Sequence, residues 1–145
     1  NDPMTQFALA DLCQQLKMTE MARQHYEKAL ALAPDCSTCL DRLAKIYSSW
    51  GKYAEAVKCL QRLTELHPGN PGVAYSLARL YAHLGKEKAT IESLKKAIKL
   101  GFNDRNRLVS DPFLQSIRNT EYFQELMLDE DPDGGGDTDI AAPAD

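Results

Sequence analysis

The chain has 145 residues, 43% of them hydrophobic and 26% charged, with a formal net charge of −4. That is one domain's worth of ordinary soluble chain, and no stretch approaches the roughly 20 uninterrupted apolar residues that span a bilayer. Residues 1–128 hold all 17 Lys and Arg and 14 of the 21 acidic residues, so a body of +3 carries a tail of −7, far from the clustered basic footprint of a nucleic-acid binder.

The chain opens Asn1-Asp2-Pro3, without a methionine and without the basic start and apolar run of a signal peptide, as expected of a processed chain or a piece of a longer one. Leu9, Leu12 and Leu16 then fall on one face of a helix, and Ala22, Tyr26, Ala29 and Leu30 on one face of a second, with Lys17 at the turn between them. Pro34 closes the pair. A second pair follows, with Leu40, Leu43, Ala44 and Tyr47 at i, i+3, i+4 and i+7, then Ala56, Val57, Leu60 and Leu63. Gly51 between them suits the left-handed backbone of a helix end. Pro68 stops the second helix, and Pro71 suits the first turn of the next. The third pair carries Ala74, Leu77, Ala78 and Tyr81, a turn at Gly85, then Ile91, Leu94 and Ile98.

These pairs repeat at 34 residues without a gap: Leu9/Leu43/Leu77, Ala10/Ala44/Ala78, Cys13/Tyr47/Tyr81, Ala22/Ala56/Thr90, Tyr26/Leu60/Leu94 and Pro34/Pro68/Phe102. A fixed period of this length marks identical helical hairpins stacked so that each covers its neighbour's apolar face. After them, Ser110-Asp111-Pro112 reads as a helix start with Phe113, Leu114 and Ile117 as a short apolar face. Thr120-Glu121 opens another with Phe123, Leu126 and Met127 inward. Together they form a cap, with Phe113, Ile117 and Phe123 expected against the last hairpin's second helix, near Leu94 and Ile98.

The small alanines at Ala10, Ala44, Ala78, Ala22 and Ala56, the tyrosines Tyr47 and Tyr81, the turn glycines Gly51 and Gly85, and the closing Pro34 and Pro68 resemble the tetratricopeptide repeat family. Three copies span residues 3–36, 37–70 and 71–104, followed by capping helices over 105–128 and an acidic tail over 129–145 expected to be disordered. The departures are Lys17 and Cys13 in the first copy, Leu63 in the second, and Thr90 and Gly101-Phe102 in the third. The resemblance implies an all-α fold, a right-handed α-α superhelix, that binds a protein or peptide in its concave groove rather than catalysing a reaction. The stretch from Gly101-Phe102 to Tyr122-Phe123 is similar to the closing segment of many bacterial arrays, which implies a bacterial origin. A cytoplasmic location is favoured over a periplasmic one.

The same resemblance assigns the groove to the first helix of each hairpin. Its expected lining is Phe7, Asp11, Gln14 and Gln15 from the first. The second supplies Asp41, Arg42, Lys45, Ser48 and Ser49, and the third Tyr75, Ser76, Arg79 and His83. Some family members grip a partner's C-terminal carboxylate with a lysine and an asparagine of the first copy. Phe7 and Asp11 stand there instead, so that clamp is absent. Lys45 and Arg79 share one register, which points to an acidic or carboxylate-bearing peptide, with Phe7 and Tyr75 as apolar contacts and His83 nearby. The tethered −7 tail is itself a candidate occupant through its high effective concentration.

Three other patterns carry less. Cys36-Ser37-Thr38-Cys39 has the spacing of a zinc or redox pair, but zinc lacks two further ligands and the strand-helix alternation of redox folds is missing. The expectation there is two small residues at a repeat junction, with a metal- or redox-responsive module as the rival reading. Asp129 to Asp139 imitates part of a calcium loop but has Ile140 at the bidentate position. His25, His67 and His83 share no register and neighbour no nucleophile, so no enzyme activity and no cofactor is expected.

Overall fold

The computed structural model describes residues 2–128; the acidic tail 129–145, with its expected disorder and its calcium-like spacing, lies outside the described residues. Among the described residues there are eight α-helices and no strand: α1 (Pro3–Gln15), α2 (Thr19–Leu32), α3 (Ser37–Ser49), α4 (Tyr53–Leu66), α5 (Pro71–His83), α6 (Glu87–Lys99), α7 (Arg105–Ser110) and α8 (Glu121–Leu128). The first six form three antiparallel hairpins stacked in chain order, through α2 on α3 and α4 on α5.

Each hairpin starts on a cap residue 34 positions after the last: Asp2, Cys36 and Asn70. The Asp2 and Asn70 side chains accept backbone N–H groups of their own first turns, at 3.3 Å from Met4 and 2.9 Å from Gly72. Such caps satisfy donors that the helix cannot. The turn inside each hairpin is closed by a six-residue return bond: Met18 to Cys13 at 2.8 Å, Lys52 to Tyr47 at 2.8 Å and Lys86 to Tyr81 at 2.9 Å, all N–H to C=O. That closure needs one residue with left-handed backbone. Gly51 and Gly85 supply it with φ of 74° and 72°, while Lys17 is held at 60°. A Cβ there crowds the following carbonyl. Lys17→Gly is therefore expected to stabilise the fold by about 0.5–1 kcal/mol, seen as a higher urea midpoint at unchanged slope.

The small residues of the repeated registers lie in the core. Ala10, Ala44, Ala78, Ala22 and Ala56 are all buried. Thr90, which replaces the alanine of that register, is buried too and donates its hydroxyl to the Lys86 carbonyl at 2.8 Å. The first hairpin differs from the others because nothing precedes it in the described residues. Leu9, Leu12 and Leu16, which read as a core-facing stripe, are exposed there. Leu12 is 51% exposed, whereas Ile46 in the same register is 4% exposed, because α2 lies against α3.

The cap departs from the sequence reading in two respects. Helix α7 was not foreseen, yet it begins 34 residues after Pro71, on an Asp104 cap that accepts from Arg107 N at 3.0 Å. It is the start of a fourth first-helix in register. It stops because Asp111 adopts extended backbone ahead of Pro112, whose ring disfavours a helical residue before it. Pro112–Leu114 then makes a single 3-10 turn rather than a helix carrying Ile117. Leu108, Leu114, Ile117 and Phe123 join Leu94 and Ala97 in one buried cluster, but Phe113 does not. It is half-buried, and the turn that carries it packs chiefly on α5. Arg105 ties the end of α8 to α7 by donating to the Met127 carbonyl at 2.9 Å.

Candidate functional site

The stack leaves a concave cleft of about 350 Å³, walled by α3, α5 and the cap. Asp41, Lys45 and Ser48 come from α3, and Ser76 and Arg79 from α5. The cap adds Arg107 and Phe113, neither of them on the sequence's list of groove residues, and the floor is Ala44, Leu60 and Leu80.

Charge in this cleft is arranged in two tiers. At the open end Lys45 Nζ lies 2.7 Å from Asp41 Oδ2, one helical turn away, with both side chains substantially exposed. A pair of that kind contributes only about 0.3–0.5 kcal/mol and is readily exchanged for another anion. At the cap end Arg79 Nε lies 2.7 Å from Asp111 Oδ2. The contact is off the N–H axis, so it is Coulombic rather than a directed hydrogen bond. Asp111 is buried, accepts the Tyr75 hydroxyl on the same oxygen, and with Oδ1 caps the turn by accepting Phe113 N at 3.0 Å. The Arg79 guanidinium lies 4.3 Å from the centre of the Phe113 ring, and Arg107 lies 5.0 Å from that of Tyr75. Each cation is thus aligned by a ring face. Arg107 pairs with no carboxylate among the described residues.

Tyr75 is a correction. Expected as an apolar contact on the groove surface, it is 2% exposed, stacked on Phe102 with centroids 4.3 Å apart, and sealed under the cap. Burial, and then the Asp111 carboxylate it donates to, push its hydroxyl well above the usual tyrosine range. Arg79 is placed in the cleft as expected, but committed to Asp111. His83 is exposed and packs between Tyr53 and Phe113, at 4.1 and 5.2 Å between ring centres; it lies beside the Phe113 wall, in an adjoining depression with Pro112, Gln115 and Ser116, and does not line the cleft itself.

The first-hairpin residues do not join this cleft. Phe7 packs on Tyr26 at 5.6 Å between centroids. The Tyr26 hydroxyl, whose pKa is raised by burial first and Asp11 second, donates toward Asp11 and Gln14, the latter at 2.8 Å. Asp11 and Gln14 are therefore engaged in holding α1 to α2. Tyr47 likewise donates to Glu27, and burial with that carboxylate pushes its pKa up to about 12.

The cysteine pair is a second correction. Cys36 and Cys39, expected as two small packing residues, are joined by a disulfide with a Cα–Cα distance of 5.3 Å. Cys13 and Cys59 are free and buried, and burial pushes the Cys59 thiol up to about 11. Among the described residues no group of three or more His, Cys, Asp or Glu side chains is gathered as a metal would require, and no helix is long and apolar enough to cross a membrane.

Arg107 carried no motif, and Phe113 was read only as a core-facing cap residue. The signal that places both beside the cleft is the recurrence of the cap register at Asp104, which continues the 34-residue period past the third hairpin.

Comparisons with known proteins agree with this geometry. A family model described as tetratricopeptide repeat matches residues 3–69, and a second of the same description matches residues 72–103. Among curated proteins, the chain is 32% identical over 84 residues to a chloroplastic protein of Arabidopsis thaliana. The match covers 56% of this chain and only 25% of that protein, so the chain spans about a quarter of its relative's length. Among solved structures, it is similar to YrrB, described as a TPR protein with an unusual peptide-binding site, at TM-score 0.68 and 22% identity over 86% of this chain and 63% of that one. It is also similar to MamA, at TM-score 0.63 and 18% identity over 68% of this chain and 58% of that one. The N-terminal domain of stress-induced protein-1 from C. elegans matches at TM-score 0.63 and 16% identity, over 71% and 87% of the two chains. At these identities the structural likeness is one of fold alone.

Proposed function

The chain belongs to the tetratricopeptide repeat family, and from that premise we propose that it is a non-catalytic interaction module holding an extended, carboxylate-bearing peptide in its concave cleft. Residues 3–36, 37–70 and 71–104 act as three repeats, and 105–128 as a cap that also builds one wall of the binding site. The observation that carries this reading is the cleft between α3, α5 and the cap, where Lys45, Arg79 and Arg107 face Asp41 and a buried Asp111. Its local balance is positive by one charge. Asp41 is held only by an exposed pair that an incoming carboxylate can displace, and Arg107 offers a planar fork suited to bidentate contact. Phe113, with His83 packed beside it, supplies an aromatic wall for an apolar side chain of the same peptide.

The test is fluorescence anisotropy with labelled acidic peptides, each made with a free and with an amidated C-terminus. Lys45→Glu with Arg107→Glu is the variant of choice, because reversing Arg79 would break the Asp111 site and confuse binding with folding. The double reversal should weaken binding at least about tenfold, equivalent to about 1.4 kcal/mol, and added salt should weaken the original protein's binding in the same direction. Equal affinity for the original and the reversed proteins would place the partner on the convex face or the loops.

A further inference from the structure

We infer that Cys36 and Cys39 form a redox-active pair that exchanges its disulfide with cysteine thiols set in an apolar segment of a partner protein. The first support is internal to the repeat. The residue that caps each first helix is Asp2, Cys36, Asn70 and Asp104 in turn, and three residues further on stand Thr5, Cys39, Val73 and Arg107. The other three junctions form the same helix start with an Asp or Asn side chain and no cross-link. Cysteine is a poorer cap than either. A disulfide between residues three apart closes a very short loop and so constrains the unfolded chain little. The fold therefore does not need this bond at this place.

The second support is the asymmetry of the two sulfurs. Cys39 is fully buried, whereas Cys36 is half-buried and forms part of the wall of an apolar cleft of about 460 Å³ with Pro3, Met4, Phe7, Ala8, Ala33 and Thr38. Only Cys36 is open to attack. Its Sγ accepts the Cys39 backbone N–H at 3.2 Å at the start of the 13-residue α3. The unsatisfied N–H groups of a helix start favour a thiolate over a thiol. The lining of the cleft offers little to a charged tripeptide such as glutathione and suits apolar residues flanking a cysteine.

The exchange runs through one mixed disulfide. A partner thiolate attacks Cys36 Sγ, a sulfur–sulfur bond forms between partner and Cys36, the Cys36–Cys39 bond breaks, and Cys39 leaves as a thiolate that takes a proton. A second thiol of the partner attacks the mixed disulfide at the partner's own sulfur and releases Cys36 as the thiolate. The partner's two thiols are oxidised to a disulfide, and Cys36 and Cys39 are reduced to thiols.

The experiment uses the full chain. Equilibrated with oxidised glutathione, it should show two free thiols by alkylation and mass, assigned to Cys13 and Cys59, and four after reduction. In the reduced protein Cys36 should be alkylated at neutral pH at least about tenfold faster than the other three cysteines. In the Cys39→Ser variant the free Cys36 should attack the symmetric disulfide of a peptide whose cysteine lies between apolar residues, forming a mixed disulfide and releasing one peptide thiol. It should do so faster than with oxidised glutathione, which releases one reduced glutathione. Phe7→Asn in that background removes apolar lining without adding charge, so it should slow the peptide arm more than the glutathione arm. Cys36→Ser keeps a good helix cap, so it serves as a folded control in which exchange is abolished. The proposal is overturned by a pair that stays reduced in oxidised glutathione, by alkylation of Cys36 no faster than of an unfolded cysteine, or by equal trapping in the two arms.

Discussion

Asp111→Ala is expected to cost about 3–5 kcal/mol and to loosen the whole cap. The carboxylate is buried and serves three groups together: the Tyr75 hydroxyl, Arg79 at 2.7 Å and the Phe113 amide at 3.0 Å. Alanine would leave a buried hydroxyl without an acceptor and a half-buried guanidinium without its counter-charge, and removing one partner of such a set costs far more than forming the set gains. Asp111→Asn keeps the size and one acceptor oxygen, so it should lose less, about 1–3 kcal/mol. Urea melts monitored by tryptophan would report the stack, and hydrogen exchange at the Leu108 and Leu114 amides would report the cap. A loss below about 1 kcal/mol in the alanine variant would show that Leu108 and Leu114 dock the cap without help from the polar centre.

Ile46→Ala should cost about 2–5 kcal/mol, while Leu12→Ala, in the same register one repeat earlier, should stay within about 0.5 kcal/mol of the parent. The difference lies in what covers each residue. Ile46 sits in the interior between the first and second hairpins, and truncation there opens a cavity. Leu12 faces outward from the first helix, with half of its surface in water. Denaturant midpoints of the two variants, measured on the same chain, make the comparison direct. Comparable losses at both sites would mean that a further segment or a second molecule covers α1 in solution.

Much of the chain was legible before folding. The 34-residue period predicted six helices in three hairpins, and the alanines at Ala10, Ala44 and Ala78 lie buried in the core. Gly51 and Gly85 take the left-handed backbone that a short closure between helices demands. Among the site residues, Lys45 and Arg79 do share one trough, because residues 34 apart occupy equivalent positions on successive first-helices.

What the sequence determined by itself is therefore the set of local and periodic relations: which residues share a helix face, where helices start and stop, and which positions are equivalent from repeat to repeat. These rest on backbone geometry and on apolar spacing of three, four and 34 residues, which recur and can be recognised. Tertiary structure alone decided that Tyr75 is sealed under the cap by Asp111, 36 residues away, and that Arg79 is tied to the same carboxylate. It also decided that Phe113 turns into the cleft and that Cys36 and Cys39 are bonded where the other junctions are not. The reason is physical. The cap abandons the period at Pro112, so its contacts have no counterpart elsewhere in the chain. A single long-range polar contact leaves no spacing to read until the backbone has brought its partners together.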